Sequence, residues 1–400
     1  MKMELIASLD RKLKALDEQS LTRRRRVVET PSAPRLVVNG RPMLAFCSND
    51  YLGLAAHPLV IEALREGASL YGAGSGASHL ISGHTRAHDL LEDRLADFLS
   101  PHLESARALS FCTGYMANLA MLTALGADAD AEIFSESLNH ASLIDGARLA
   151  RASVKVYPHA DLAALAALLE ASNASTRLVV TDSVFSMDGD LAPLPQMLAL
   201  CEKHGAWLVI DDAHGFGALG QNGRGALEHF GMKSPNLVYM GTLGKAAGVG
   251  GAFVAAHASV IELMIQRARP YIFTTAAPPA LPHALLTALD IISGDEGVQR
   301  RTHLQALIAQ LDGALQLSRW ERPVSTTAIQ PVIIGRNDET MRVGAGLYER
   351  GLWVAAIRPP TVPVDTARLR ITLSAAHTHD EVTQLAGAIN ELERTWDESQ

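Results

Sequence analysis

The chain has 400 residues, of which 48% are hydrophobic and 20% charged, and its formal net charge is -8. This length predicts more than one domain, and the composition is typical of a globular protein rather than a disordered one. An acidic chain argues against a nucleic-acid-binding surface and against a polybasic membrane-binding surface. We therefore expect neither nucleic acid nor membrane as a partner.

The start of the chain and its cysteines bear on where it works. "MKMELIASLDRKLKALDEQ" lacks the apolar segment of a secretory signal, and no run of eighteen apolar residues predicts a membrane span. Cys47, Cys112 and Cys201 are odd in number and far apart, which fits neither a disulfide framework nor a CxxC metal clip. A reducing, cytoplasmic environment is the expectation.

The first part of the chain carries few chemical signals. Residues 1–60 are predicted to form an N-terminal arm and lead-in. The glycine-rich segment "YGAGSGASHLISG", residues 71–83, predicts a flexible loop. His84 and His88 are four residues apart in "HTRAH", but the glutamate of a zinc-protease helix is missing, so no metal site is expected.

From about residue 107 to 256, short β-rich segments alternate with helical segments. Runs such as "RLVVTD" and "WLVID" are almost continuously apolar, which predicts strands covered on both faces. The alternation predicts an α/β fold with a mainly parallel sheet and helices on both faces. We assign this large domain to residues 61–290.

The pattern changes after residue 290. A long helical segment, "VQRRTHLQALIAQLDGALQL", precedes the strand-like segments "AIQPVIIG", "LWVAAIR" and "ARLRITLS", with the helical "ETMRVGAGLYERG" among them. Residues 291–400 are therefore predicted to form a smaller C-terminal α+β domain.

The segment "GFGALG", residues 215–220, matches the dinucleotide-binding pattern GxGxxG in form. That motif has to open a helix whose N-terminus meets the pyrophosphate, whereas "QNGRGA" continues here as a loop. A nicotinamide-dependent oxidoreductase is the alternative function that this segment would support.

Chemical residues gather at the ends of two consecutive predicted strands. "WLVIDDAHGFG" contains Asp211, Asp212 and His214. The two carboxylates could hold a metal or satisfy the end of the strand, but the nearby histidine favours a functional site. Lys245 follows the next predicted strand, in "TLGKAAGVGG". Because open α/β sheets bind ligands beyond the carboxyl ends of their strands, we expect Asp211, His214 and Lys245 around one site.

These residue types suit pyridoxal 5'-phosphate (PLP). The cofactor needs a lysine for its aldehyde and a carboxylate for its pyridine nitrogen. It also needs a donor for its phenolic oxygen, a stacking partner, and a helix N-terminus for its phosphate. The candidates are, in that order, Lys245, Asp211, His214, His140 of "SLNHASL", and Gly114 with Tyr115 of "CTGYMAN", to which Thr242 adds a hydroxyl for the phosphate.

About residues 20–395 resemble the α-oxoamine synthases, a family of fold-type I PLP enzymes. The likeness lies in "SNDYLGL", "GSGASHLISG", "DSVFSMDGD", "DDAHGFG", "TLGKAAGVGG", "AIRPPTVP" and "ARLRITLSAAH". The resemblance implies a PLP-dependent acyltransferase that works as a homodimer and condenses an amino acid with an acyl thioester, releasing carbon dioxide.

The segments "IRPPTVP" and "TARLR" imply L-alanine and a pimeloyl thioester, carried by coenzyme A or by acyl carrier protein, in biotin biosynthesis. A sibling synthase that uses glycine and acetyl-CoA, such as 2-amino-3-ketobutyrate CoA ligase, remains the alternative. A catalytically silent binding protein on the same scaffold is a third possibility.

The resemblance also implies roles for individual residues. Lys245 would hold the cofactor and move the substrate's α-proton, and Ser186 would join His214 beside the phenolic oxygen. Thr274 or Thr275 would contact the phosphate in the partner subunit. The implied substrate-binding residues are Arg23, Asn49, His140, Thr361 and Arg370, with the register inside the four-arginine run of residues 23–26 open by one residue.

One position departs from the family pattern. "PVDTARLR" has Asp365 where the family leads us to expect glycine. We therefore expect a differently shaped loop before Arg370, which would affect the acyl-chain end of the pocket rather than the chemistry.

Overall fold

The computed structural model describes residues 2–396, which form two compact units. One unit contains the chain up to Tyr51, the segment Met187–Gly189 and the chain from His303 onward. The other contains Leu52–Ser186 and Asp190–Thr302. We call them the terminal unit and the central unit.

The strands, in chain order, are β1 (Arg35–Val38), β2 (Arg41–Ala45), β3 (Ala106–Phe111), β4 (Glu132–Glu136), β5 (Ser153–Tyr157), β6 (Arg177–Asp182), β7 (Trp207–Asp211), β8 (Leu237–Thr242), β9 (Ala252–His257), β10 (Ile329–Gly335), β11 (Leu352–Trp353), β12 (Ala355–Ile357) and β13 (Ala367–Thr372).

The α-helices are α1 (Lys2–Glu18), α2 (Pro58–Tyr71), α3 (Arg86–Leu99), α4 (Gly114–Leu125), α5 (Ala141–Leu149), α6 (Leu162–Glu170), α7 (Leu194–His204), α8 (Ala226–His229), α9 (Ala258–Arg267), α10 (Arg269–Phe273), α11 (Ala280–Ser293), α12 (Asp295–Ala314), α13 (Asn337–Glu349) and α14 (His379–Arg394). Within residues 2–396, none of them is both long enough and apolar enough to cross a membrane.

The central unit is built on a seven-stranded sheet in the order β3-β9-β8-β7-β6-β4-β5. Strands β4 to β8 pair in parallel, as the alternating pattern predicts. Strand β9 lies between β3 and β8 and is antiparallel to both. The predicted α/β class with a mainly parallel sheet is confirmed.

Apolar burial holds this sheet between its helices. Leu178, Val180 and Val209 are completely buried, and α4 contributes buried alanine, leucine and methionine side chains to the same core. Each fully buried large aliphatic side chain contributes about 1.5–3 kcal/mol. Strands buried on both faces need continuous apolar runs, which explains "RLVVTD" and "WLVID".

The carboxyl ends of three adjacent strands carry polar residues. Asp182 ends β6, Asp211 ends β7 and Thr242 ends β8. The register pairs Asp182 with Asp211 and Asp211 with Met240, so the ends of β6 and β7 are level and β8 extends two residues further, to Thr242. The polar side chains of the central unit therefore meet along one edge of the sheet.

The terminal unit contains two small sheets. Strand β13 lies between β10 and β12 and is antiparallel to both, while β2 lies between β1 and β11. Helices α13 and α14 pack against each other and α13 packs on the β10-β13-β12 sheet. Arg370 lies on the middle strand, where Pro331 and Ala355 are its neighbours in register.

The glycine-rich segment 71–83 is not a loop throughout, and that prediction was wrong for Tyr71, which ends α2, and for its last five residues. His79–Gly83 forms one turn of π-helix in which the N–H of Gly83 donates to the carbonyl of Ser78. A Cβ on Gly83 would lie 2.0 Å from the carbonyl oxygen of Ala77. The glycine therefore permits a close backbone contact that any side chain would block.

Candidate active site

Small residues surround Lys245 because two loops approach it closely. A Cβ on Gly217 would lie 2.8 Å from the Cβ of Ala246, and Gly217 has a φ of 80°. A Cβ on Gly248, whose φ is 73°, would lie 2.5 Å from the backbone of Leu54. Close packing in the central unit therefore accounts for two of the small residues that follow the lysine, Ala246 and Gly248.

The lysine amine is paired with the histidine from the neighbouring strand end. Nζ of Lys245 lies 2.9 Å from Nε2 of His214. His214 is 8% exposed, and Lys245 is partly buried. The structure therefore places these two predicted site residues in direct contact.

Asp211 is held rigidly at the end of β7. Its Oδ1 accepts from the N–H of Ala213 at 2.9 Å, and its Oδ2 accepts from Nδ2 of Asn118 at 2.7 Å. The side chain is 3% exposed. Two donors therefore fix the orientation of this buried carboxylate, whose oxygens can accept from a protonated ring nitrogen.

His140 lies near both charged residues. It caps the N-terminus of α5, where Nδ1 accepts from the N–H of Ser142 at 3.3 Å. Burial lowers the pKa of His140, the negative charge of Asp211 raises it, and the positive charge of Lys245 lowers it. The net effect is downward, so the neutral ring is favoured.

The beginning of α4 lies beside the end of β8. Thr113 caps the helix by accepting from the N–H of Met116, and the first N–H groups of a helix, here those of Gly114 and Tyr115, have no partner within it. A Cβ on Gly114 would lie 3.9 Å from Oγ1 of Thr242. These N–H groups suit a phosphate. The adjacent hydroxyl of Thr242 donates to the carbonyl of Gly251 at 3.1 Å in this structure.

Three other predicted cofactor residues lie elsewhere in the central unit. Ser186 is in the turn that follows β6. Thr274 follows the last residue of α10. Thr275 forms an isolated bridge with Ser78, and its carbonyl accepts from Sγ of Cys112 at 3.6 Å. The contact of Thr274 or Thr275 with a partner subunit stays a prediction.

In the terminal unit, Arg370 and Asn49 are paired. Nη1 of Arg370 donates to Oδ1 of Asn49 at 3.2 Å and to Oγ1 of Thr372 at 2.9 Å. The hydroxyl of Tyr51 donates to the same Asn49 oxygen at 3.3 Å. Arg370 is 6% exposed, so its guanidinium is held in a fixed orientation.

Arg23 and Thr361 line one cavity of about 690 Å³ in the terminal unit, together with Arg358 and Trp353. Burial lowers the pKa of Arg358, and the positive charge of Arg23 lowers it further. Two guanidinium groups close enough to repel each other favour an anionic occupant.

The backbone conformation at Asp365 explains why the family pattern has glycine at this position. Its φ is 60°, in the left-handed region where glycine is favoured and where aspartate is tolerated better than most residues. The backbone at this position is therefore one that glycine would adopt without strain.

Comparisons with known proteins identify the family of this chain. The family model of class I and II aminotransferases matches residues 41–389. The chain is 71% identical to 8-amino-7-oxononanoate synthase from Janthinobacterium sp. (strain Marseille), over 98% of this chain and 99% of that protein. It is 65% identical to 8-amino-7-oxononanoate synthase from Bordetella petrii, over 98% of each protein. The chain belongs to the 8-amino-7-oxononanoate synthase family. Its fold also matches a serine palmitoyltransferase from S. paucimobilis with PLP bound, with a TM-score of 0.90, 28% identity and 98% of each chain covered.

The residues present fit the cofactor that this family implies. The buried carboxylate of Asp211 suits a pyridinium nitrogen, and the amine of Lys245 suits an aldehyde. The donors of α4 and Thr242 suit a phosphate, and the space that a Cβ of Gly114 would occupy lies directly beside Thr242. Each of these groups is therefore of the chemical type that the corresponding part of PLP requires.

Sequence reasoning missed three buried polar residues of this family member. Asn118 and Ser142 link Asp211 to His140, and the N–H of His140 donates to Oδ2 of Asp182 at 2.7 Å. Burial and the negative charge of Asp211 raise the pKa of Asp182 well above its usual range. Asp182 could have been found, because it ends "RLVVTD" as Asp211 ends "WLVID".

The side chain of Asp212 has a structural role. Its carboxylate accepts from Ser183, from the hydroxyl of Tyr239 at 2.6 Å and from the N–H of Ala226 at 2.8 Å. Burial raises its pKa to about 7. It therefore fixes the loop that follows β7, and among residues 2–396 no group of three metal-ligating side chains is found.

Proposed function

We propose that this chain condenses L-alanine with a pimeloyl thioester, releases carbon dioxide and yields 8-amino-7-oxononanoate for biotin synthesis. The observation that carries the proposal is the 71% identity to an 8-amino-7-oxononanoate synthase over 98% of the chain. The paired Lys245 and His214 supply the amine chemistry that this reaction needs. The sibling reaction of glycine with acetyl-CoA is not favoured, because the relatives at 60–71% identity carry the other name.

The cofactor is PLP, which supplies an electron-withdrawing ring that makes the α-proton of a bound amino acid acidic. Lys245 would hold its aldehyde, and Asp211 would accept from its protonated ring nitrogen. His214 and Ser186 serve the side of its phenolic oxygen. The phosphate is bound by the N–H groups of Gly114 and Tyr115 and by the hydroxyl of Thr242, with Thr274 or Thr275 contributed by a second subunit.

Lys245 moves the protons of the reaction. Its amine takes the α-proton from the amino acid and later returns a proton to the same carbon. His214 lies 2.9 Å from that amine, so it orients Nζ and shares its proton. His140, kept neutral by burial, stacks on the ring and contacts the substrate.

Substrate recognition rests on residues of the terminal unit. Arg370 binds the carboxylate of L-alanine, for which a guanidinium held by Asn49 and Thr372 is a suitable partner. Arg23 and Thr361 bind the acyl donor at the cavity that they line.

Two further points about the working enzyme belong to the proposal. A homodimer is supported by the family's shared use of a partner threonine at the phosphate. A cytoplasmic location is supported by three free cysteines, Cys47, Cys112 and Cys201, none of which is paired in the described structure.

The proposal is tested by steady-state assays of the PLP-loaded enzyme. L-Alanine with pimeloyl-CoA, and with pimeloyl acyl carrier protein, is compared with glycine and acetyl-CoA, and the products are identified by mass spectrometry. We expect kcat/KM for the alanine and pimeloyl pair to exceed the other by roughly 100-fold or more, as polar and chain-length recognition allows. Faster reaction of glycine with acetyl-CoA would overturn the assignment.

Lys245→Ala is the matched variant for this assay. It should retain the fold, because alanine neighbours already occupy this segment, and lose turnover by several orders of magnitude. Substantial product formation by this variant would show that another residue moves the α-proton.

A further inference from the structure

A continuous chain of hydrogen bonds joins Asp211 to His140 inside the central unit. Oδ2 of Asp211 accepts from Nδ2 of Asn118 at 2.7 Å, and the same Nδ2 donates to Oγ of Ser142 at 2.8 Å. Oγ of Ser142 then lies 2.7 Å from Nδ1 of His140. Asn118 and Ser142 are each 1% exposed, so water does not compete for these contacts.

The negative charge of Asp211 sets the direction of the first bond. An ionised carboxylate can only accept, so the amide of Asn118 must turn its NH₂ group toward it. The opposite orientation would place Oδ1 of Asn118 2.7 Å from a carboxylate oxygen, with no proton between them. In the orientation present, Oδ1 has no hydrogen-bond partner within residues 2–396, which shows that the amide satisfies its donors first.

The remaining bonds follow from this orientation. The second N–H of Asn118 donates to Oγ of Ser142, so the hydroxyl proton of Ser142 is free to be donated to Nδ1 of His140. The backbone N–H of Ser142 also points to Nδ1, at 3.3 Å. Two donors at one ring nitrogen mean that Nδ1 is an acceptor and carries no proton.

We propose that Asn118 and Ser142 are positioning residues that hold His140 as the tautomer protonated at Nε2. The ring then presents Nε2–H as its only donor, which suits a substrate oxygen that bears or develops negative charge, such as a carboxylate or a thioester carbonyl under attack. The same carboxylate that holds the ring nitrogen of the cofactor thereby determines which proton His140 offers. The tautomer stands on the geometry alone; its use by a substrate rests on the proposed function.

Other charged groups also act on His140. Asp211 favours the protonated ring, and Lys245 disfavours it. Asp182 accepts from the backbone N–H of His140 rather than from its ring, and the ring of Tyr115 approaches edge-on with centroids 6.5 Å apart. None of these groups supplies the donor that Nδ1 receives from Ser142.

The test uses ¹⁵N-histidine NMR and pH-rate profiles of the PLP-loaded enzyme. In the parent enzyme, His140 should show a pyridine-type Nδ1 and a pyrrole-type Nε2. In Ser142→Ala the imidazole loses a donor that stabilises its neutral form, so its titration and the acidic limb of kcat/KM should move up by roughly 0.5 to 1 in pH. Asn118→Ala should also move the titration of His140 and the acidic limb of kcat/KM upward. Ser142→Thr keeps the hydroxyl, so both should remain at their values in the parent enzyme.

Ser183→Ala is the matched control. Ser183 is also completely buried and also donates to a carboxylate, that of Asp212, but it is not connected to His140. Its removal should leave the titration of His140 unchanged. If Ser142→Ala fails to fold, Asn118→Ala carries the same test.

A protonated Nδ1 in the parent enzyme, or an unchanged titration of His140 in both folded variants, would overturn the proposal. The NMR arm does not depend on the substrate. Failure to form product from alanine would therefore count against the proposed function, while the tautomer would be judged separately.

Discussion

At the scale of single residues, the surroundings of Lys245 have two separate explanations. The contact of its amine with His214 relates to the reaction that we propose for this site. Two of its small neighbours are closely packed, Ala246 against Gly217 and Gly248 against the backbone of Leu54. The segment "TLGKAAGVGG" therefore combines a reactive side chain with a packing requirement, and only the first of these was expected from the residue types.

Asp365 provides a residue-scale prediction about stability. Its φ of 60° is in the left-handed region, which costs a β-branched residue about 1–2 kcal/mol. Asp365→Val should therefore lower the free energy of unfolding by about that amount, whereas Asp365→Gly should change it by less than about 1 kcal/mol. The melting temperatures of the PLP-loaded proteins measure the difference.

Asp365→Asn is the control for this series, because asparagine also tolerates left-handed backbone. The Asp365→Val variant should melt at a clearly lower temperature than the parent and than the Asp365→Asn and Asp365→Gly variants. Equal melting of the valine variant and the parent would mean that this loop relaxes at no cost.

At the scale of elements, His159 connects the end of β4 with the segment that follows β6. Nδ1 lies 2.9 Å from Oε1 of Glu136, and Nε2 lies 3.0 Å from Oδ2 of Asp190. The ring packs edge-on against Phe185 at 4.5 Å. These two segments carry His140 and Ser186, so this contact supports the site indirectly.

The pH dependence of this contact follows from the pKa of His159. Hydrogen bonds to Asp190 and then Glu136 raise that pKa to about 10. A raised histidine pKa contributes stability that is fully present below about pH 6.5 and is lost as pH rises toward 10. His159→Gln should therefore be destabilised relative to the parent most strongly near pH 6, and the difference should shrink near pH 10.

Thermal melting of both proteins across this range measures the effect. His229→Gln, which removes an exposed imidazole from α8, controls for the loss of a histidine as such. A parent-to-variant difference that grows with pH would contradict the assigned charge on His159.

At the scale of the whole molecule, stability should depend on the cofactor. A ligand that binds only the folded state stabilises it by about 2.7 kcal/mol at one hundred times its Kd. Removal of PLP should therefore lower the melting temperature, and its return should restore it. Asp211→Ala should bind PLP on the order of 100- to 5,000-fold more weakly, because loss of one member of a buried charge pair costs about 3–5 kcal/mol.

Asp212→Asn is the matched control for that measurement. It changes the adjacent buried carboxylate, which is bound to Ser183, Tyr239 and the N–H of Ala226. We expect the melting temperature of this variant to be lower than that of the parent, with or without PLP. The increase in melting temperature on adding PLP should be as large as in the parent. If Asp211→Ala also keeps the full increase, Asp211 does not hold the ring nitrogen.

Much of the site could be predicted from the order of strands and polar residues. Parallel strands end at one edge, so Asp211 after β7 and Thr242 with Lys245 after β8 had to lie near each other. The strand β9 was not anticipated as antiparallel, because an apolar run does not reveal its direction. The π-turn at His79–Gly83 was missed for a similar reason, since glycine signals freedom but not the contact that uses it.

The sequence by itself therefore determined the α/β class and the edge of the sheet at which the chemistry gathers, because these depend on periodicity and on spacing along the chain. The family was identified from the resemblance of whole segments such as "TLGKAAGVGG". Only the tertiary structure decided that Asn118 of α4 bridges Asp211 and Ser142, and that His159 joins Glu136 to Asp190. Such contacts depend on which faces of packed elements meet. No local pattern of residues carries that information.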